Sequence, residues 1–179
     1  MNYINKVDGK EIYLSLSIKK DLGLYAKWLN DPDLNLTFGK SHDAWTIERQ
    51  EKYIESYNNS DDKFFFVVVL KETNEAIGLC LLYDIIYPHR KGTMGILIDK
   101  KFQSKGYGKE ASKLLLDFAF NILNLNNIML YAIDFNEKAV KMYENIGFKI
   151  IGKRRQAYPI NNMIYDEIYF DLLKEEFNE

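Results

Sequence analysis

Gln103-Ser104-Lys105-Gly106-Tyr107-Gly108 decides how this chain is read, because of what stands on either side of it. The run Gly95-Ile96-Leu97-Ile98 before it has strand character. After it, from near Lys109, the residues Ala111, Leu114, Leu115, Phe118, Ala119 and Ile122 repeat as the apolar stripe of a helix. A strand, a polar glycine-bearing turn and a helix, in that order, leave several backbone N–H groups free at the positive end of a helix dipole. Such a turn suits a phosphate or pyrophosphate. Taken alone, a Gly-x-Gly turn serves equally as a plain helix start.

Two nucleotide readings fail. A dinucleotide fingerprint needs a third glycine, and the helix after Gly108 has none near Ser112. A P-loop ending is present at Gly39-Lys40-Ser41, but the first glycine of that motif falls on Leu34, with no strong strand before it.

Working outward, Ile12, Leu14, Leu16 and Ile18 alternate along a strand over Lys10–Ile18. Asp21–Asn30 is a short helix, and Asn30-Asp31-Pro32-Asp33 stops it. Leu34–Ala44 reads as irregular, and Thr46 caps a helix over Ile47–Tyr57. Lys63–Leu70 is apolar on both faces, Ala76–Tyr83 and Thr93–Ile98 are further strands, and Tyr87–Gly92 is a loop. Asn126–Ile133 is a strand. Asn136 caps a helix to about Ile146, which Gly147 ends. Phe148–Ile151 and Met163–Leu172 are the last strands. The fold class is α+β around a mixed sheet, and residues 1–179 are expected to form one domain.

Composition narrows the function. The net charge is −2 and the basic residues are scattered, so no nucleic-acid face is expected. The single cysteine, Cys80, reads as a buried small hydrophobe in a reducing compartment. No apolar run is long enough for a membrane span, and Met1 to Lys6 carry no apolar leader segment. A cytoplasmic protein is the expectation. His42 and His89 lack ligand spacing, so no metal is expected. Lys174-Glu175-Glu176 is a solvated end.

The downstream run Asn136-Glu137-Lys138-Ala139-Val140-Lys141-Met142-Tyr143-Glu144-Asn145-Ile146-Gly147-Phe148 gives the turn its meaning. Here the chain resembles the GNAT superfamily of N-acetyltransferases. The turn matches the family's Gln/Arg-x-x-Gly-x-Gly/Ala acetyl-CoA motif, and the later run matches its Asn-x-x-Ala-x-x-x-Tyr-x-x-x-Gly-Phe motif. The likeness extends from Ala76 to Phe170. Trp28-Leu29-Asn30-Asp31-Pro32 is similar to the branch holding ribosomal-protein N-terminal, spermidine and amino-sugar acetyltransferases. Leu123-Asn124-Leu125 is similar to the spermidine enzymes.

The resemblance implies a sheet of about seven strands, splayed between the fourth and fifth, with about four helices. It implies acetyl-CoA as co-substrate and a primary amine as acceptor: a protein N-terminus, a polyamine, or an amino sugar or aminoglycoside. The backbone of Gln103, Ser104, Lys105, Gly106, Tyr107 and Gly108 would hold the pyrophosphate, and Ile96, Leu97 and Ile98 would pair with the pantetheine arm. Asn136 would touch that arm, cap its helix, or both. Tyr143 would be the general acid to the departing thiolate, against the plain reading of a core aromatic. Many relatives carry a glutamate base on the fourth strand, but Thr93 stands there, leaving Asp84, His89 or ordered water as the proton's route. Asp31, Asp33, Trp45 and Tyr158 are the acceptor-side candidates, near Asp43 and Tyr165. Phe38-Gly39-Lys40-Ser41-His42 replaces the denser acidic stretch of the spermidine enzymes. The late strands imply a homodimer. The competing reading is a catalytically silent domain that binds CoA as a sensor or for assembly.

Overall fold

The computed structural model describes residues 3–38, 43–160 and 162–177. His42 and the rest of the Gly39-Lys40-Ser41 stretch lie outside them. Among the described residues eight strands form one sheet: β1 (Asn5–Asp8), β2 (Ile12–Leu16), β3 (Phe64–Leu70), β4 (Glu75–Ile86), β5 (Lys91–Ile98), β6 (Asn127–Ile133), β7 (Lys149–Ile160) and β8 (Met163–Leu173). Their order is β1-β2-β3-β4-β5-β6-β8-β7. Only β5 and β6 run parallel; every other neighbouring pair is antiparallel. Five helices flank the sheet: α1 (Leu22–Asn30), α2 (Pro32–Phe38), α3 (Ile47–Asn58), α4 (Tyr107–Asp117) and α5 (Glu137–Glu144). No helix among the described residues is long and apolar enough to cross a membrane.

The apolar run of β3 shows why the sheet is central. Phe66, Val68 and Leu70 point into one core with Leu115 and Leu116 of α4 and Tyr143 of α5. Phe65, Val67 and Val69 point into a second core with Tyr25 and Leu29 of α1 and Ile54 and Tyr57 of α3. A strand buried on both faces needs no polar alternation, so its sequence has none.

The expected seven strands become eight because Asn5–Asp8 pairs with β2 at the sheet edge. Its sequence, Asn-Lys-Val-Asp, carries no alternation to betray it. The stretch expected to be irregular contains α2. Pro32 does end α1, holding Asp31 in an extended conformation, but it is also the first residue of α2. The Asp31 carboxylate accepts from the Asp33 and Leu34 backbone N–H groups at 3.0 and 3.2 Å, as a cap does. Thr46 caps α3 as expected, accepting from the Arg49 N–H at 3.1 Å. Ile122 does not share the buried stripe of α4. A π-helical turn over Phe118–Ile122 rephases the helix, and Ile122 is 68% exposed.

One side chain ties the sheet edge to the helix that follows the glycine turn. Glu110 of α4 accepts from the backbone N–H groups of Lys10 and Glu11 at 2.6 and 2.9 Å, pinning the β1–β2 turn. Glu110→Ala removes two charge-assisted hydrogen bonds whose donors water can reach, and should cost about 1 kcal/mol. In a thermal melt that is a fall in Tm of roughly 2–4 °C.

Candidate active site

The sheet opens in the middle. β5 and β6 pair only at Lys91 with Asn127, Gly92 with Ile128 and Thr93 with Met129. Beyond Thr93, β5 stays paired with β4 as far as Ile98, and β6 stays paired with β8 as far as Ile133. Each strand therefore follows its antiparallel partner, and the two halves diverge. The backbone of Met94–Ile98 is left without a ladder partner on its β6 side, as an edge strand is. These two strands are the fourth and fifth of the expected set, so the splay falls where the resemblance placed it.

A cleft of about 1260 Å³ fills the opening. Ile96, Leu97 and Ile98 line it from β5, and Gln103, Ser104, Gly106 and Gly108 from the turn. Ser104 and Gly106 both have positive φ, +60° and +90°. Alternating left-handed residues of this kind aim successive N–H groups into one concavity. Gly106 is the N-cap of α4 and supplies no side-chain cap, so the first N–H groups of that helix remain open. A Cβ at Gly106 would meet nothing within 4 Å, so its glycine answers to backbone conformation alone. Gly108 serves differently: a Cβ there would come within 3.3 Å of the Met142 sulfur. It lets α4 approach α5. The Gln103 amide donates to the Ile98 carbonyl at 2.9 Å and ties the turn to the end of β5.

Lys105 is turned away, its Nζ 5.4 Å above the Phe102 ring. Lys109, Lys138 and Lys141 reach the cleft instead. Together with the open turn and the free strand edge, they fit a long ligand bearing phosphates at one end and an amide-containing arm.

Tyr143 is buried on the inner face of α5 and borders the cleft. Its ring meets Phe148 edge-on at 5.8 Å and Phe170 at 6.0 Å. Burial, with a smaller contribution from nearby Cys80, pushes its phenol above the ordinary range. Cys80 is itself buried, and its thiol is raised by that burial. Asn136 accepts from the Ala139 N–H as the cap of α5 and also lines the cleft.

Asp84 borders the cleft from an unusual backbone position. The β4–β5 register shifts between Tyr83 and Ile86, and Asp84 sits in that bulge with φ of +52°. Tyr83 pairs directly with Thr93. The carboxylate thus stands one residue past the neighbour of the threonine that replaces the expected glutamate. His89 lies on an exposed turn outside the cleft wall.

Of the acceptor-side candidates, Asp33 lines the cleft. It and Asp31 each hold the Lys100 Nζ at 2.6 Å. That contact keeps the Asp31 carboxyl below the usual range. Trp45 is buried between Arg49, 4.3 Å above its ring, and Tyr53, and Asp43 pairs with Arg49 at 2.8 Å. Tyr158 faces Tyr165 across the β7–β8 hairpin. Tyr53 and Tyr57 of α3, Leu81 and Tyr83 of β4 and Tyr131 of β6 line the cleft as well. The four-residue spacing of Tyr53 and Tyr57 was visible in sequence, but it reads as core.

The family model described as an acetyltransferase (GNAT) domain matches residues 14–169. The spermidine N(1)-acetyltransferase of Escherichia coli K12 is 27% identical over 140 residues, 78% of this chain and 73% of that protein. YdaF of Bacillus subtilis, whose name points to ribosomal N-acetylation, is 36% identical over 100 residues, 56% of this chain and 55% of that protein. The crystal structure of the Vibrio cholerae spermidine N-acetyltransferase in complex with CoA and spermine superposes with a TM-score of 0.85 at 26% identity. It covers 93% of this chain and 97% of that one. The chain therefore belongs to the GNAT acetyltransferases and is an acetyl-CoA-dependent N-acetyltransferase.

The turn is testable directly. Gly106→Val forces a β-branched residue into a left-handed conformation at a strain of about 1–2 kcal/mol. Titration calorimetry should show the acetyl-CoA Kd rising roughly tenfold. Gly106→Asn, which tolerates that conformation, should show a much smaller rise.

Proposed function

We propose that this enzyme acetylates a primary amine by direct attack within a ternary complex, with Tyr143 as general acid and Asp84 as the first proton acceptor. The observation that carries the reading is Tyr143, buried and lining the same cleft as Asp84. Acetyl-CoA supplies the activated acetyl group. The turn from Gln103 to Gly108 holds its phosphates, and the free backbone of Ile96, Leu97 and Ile98 aligns the arm, so the thioester lies near Tyr143.

Only a neutral amine has a lone pair, so an ammonium must first lose a proton. Asp84 receives it directly or through water and passes it to solvent at the exposed bulge. The amine nitrogen bonds to the carbonyl carbon, the carbon–sulfur bond breaks, and the departing sulfur takes the Tyr143 hydroxyl proton. A phenol ordinarily titrates near pH 10. Burial raises Tyr143 further, so it still carries its proton throughout the working range.

The resemblance leaves three acceptor classes: a protein N-terminus, a polyamine and an amino sugar or aminoglycoside. Two copies would meet through the β7–β8 hairpin, where Ile150, Ile151, Met163 and Ile164 are all at least half exposed.

Tyr143→Phe separates this reading from a silent CoA-binding domain. Turnover should fall by roughly 10²–10⁴, followed by thiol release, while acetyl-CoA affinity stays unchanged. A parent protein that binds CoA tightly and turns over no amine would favour the silent domain. The pH profile carries a second expectation. Because Tyr143 is raised, kcat should climb with amine deprotonation and show no decline up to about pH 10. A decline between pH 8 and 9 would count against Tyr143 as the acid.

A further inference from the structure

The open side of β5 does not offer the backbone of every residue. Successive residues of a strand direct their N–H and C=O groups to opposite sides. The Asp99 N–H donates to the Ile77 carbonyl of β4 at 2.8 Å. β4 and β5 keep one register from Gly78 with Ile98 to Tyr83 with Thr93. Counting back from Asp99, Leu97 and Gly95 therefore also turn their backbone groups toward β4. A Cβ at Gly78 would run into the Leu97 carbonyl, which places that oxygen on the β4 side by a separate observation. Ile98 and Ile96 turn theirs into the opening.

Gln103 takes one of these groups. Its side-chain amide donates to the Ile98 carbonyl at 2.9 Å. From the glycine turn inward, the edge then presents the Ile98 N–H, the Ile96 carbonyl and the Ile96 N–H. The arm of CoA carries two amides. The carbonyl of one can meet the Ile98 N–H, and the N–H of the other the Ile96 carbonyl. An open Ile98 carbonyl would offer that second amide another acceptor, two residues or about 7 Å nearer the turn.

We propose that Gln103 is a positioning residue for the cofactor. By occupying the Ile98 carbonyl it sets the register in which the arm pairs with Ile96. The proposal rests on the arm lying along β5, as read above, and adds what fixes it there.

Adenosine 3′-phosphate 5′-diphosphate is CoA without its arm. It separates a role in register from a role in holding the turn. Gln103 is exposed, so its variants should fold. In titration calorimetry, Gln103→Leu should raise the Kd for CoA roughly fivefold or more and leave that for the nucleotide unchanged. Gln103→Arg, which keeps a donor, should hold the parental Kd for both. Equal losses for both ligands in the Leu variant would make Gln103 a strut of the turn and overturn the proposal, as would no loss for either. A loss for CoA in the Arg variant as large as in the Leu variant would also overturn it, because the donor would then not matter. CoA binding no more tightly than the nucleotide to the parent protein would sink the β5 seat itself.

Discussion

Everything in the cleft depends on β5 and β6 parting company after Thr93. A strand buried in a sheet has both its edges satisfied, and an unpaired backbone inside a protein is costly. Here each strand keeps its antiparallel partner and gives up the parallel one, so half of the hydrogen-bonding capacity of Met94–Ile98 stays available. Tyr143 of α5 and Asp84 of the β4 bulge both line the opening. A free strand edge, a buried phenol and a carboxylate thus face one opening. The glycine turn stands at the end of β5, where the free edge runs out and α4 begins, so the free edge and the open turn are consecutive parts of one segment.

The parts of this arrangement that were legible in the sequence are those written in backbone requirements and spacing. Gly106 and Gly108 announce a turn between a strand and a helix. Asn136 announces a cap. Tyr143 was recognisable only through the motif around it, because an aromatic on a helix's inner face is ordinarily core, and this one is core as well. The divergence of two strands has no local signature. Neither has Asp84's bulge, since an aspartate after a strand reads as a turn residue.

The misread elements fail for physical reasons. Pro32 carries two meanings, terminator of one helix and first residue of the next, and Asp31 is the cap that separates them. The edge strand β1 has no face to bury, so no alternation marks it. On the acceptor side Asp31 and Asp33 also pair with Lys100, and Asp43 pairs with Arg49. Tyrosines from α3, β4 and β6 make the wall, and residues so far apart in the chain converge only in the fold.

Hydrogen–deuterium exchange with and without CoA tests the central claim most directly. Addition of saturating CoA should slow exchange at the amides of Met94–Ile98 and Gln103–Gly108, leaving the outer strand β7 unchanged. Bound CoA with unaltered exchange across both segments would contradict a cofactor seated on the free edge of β5.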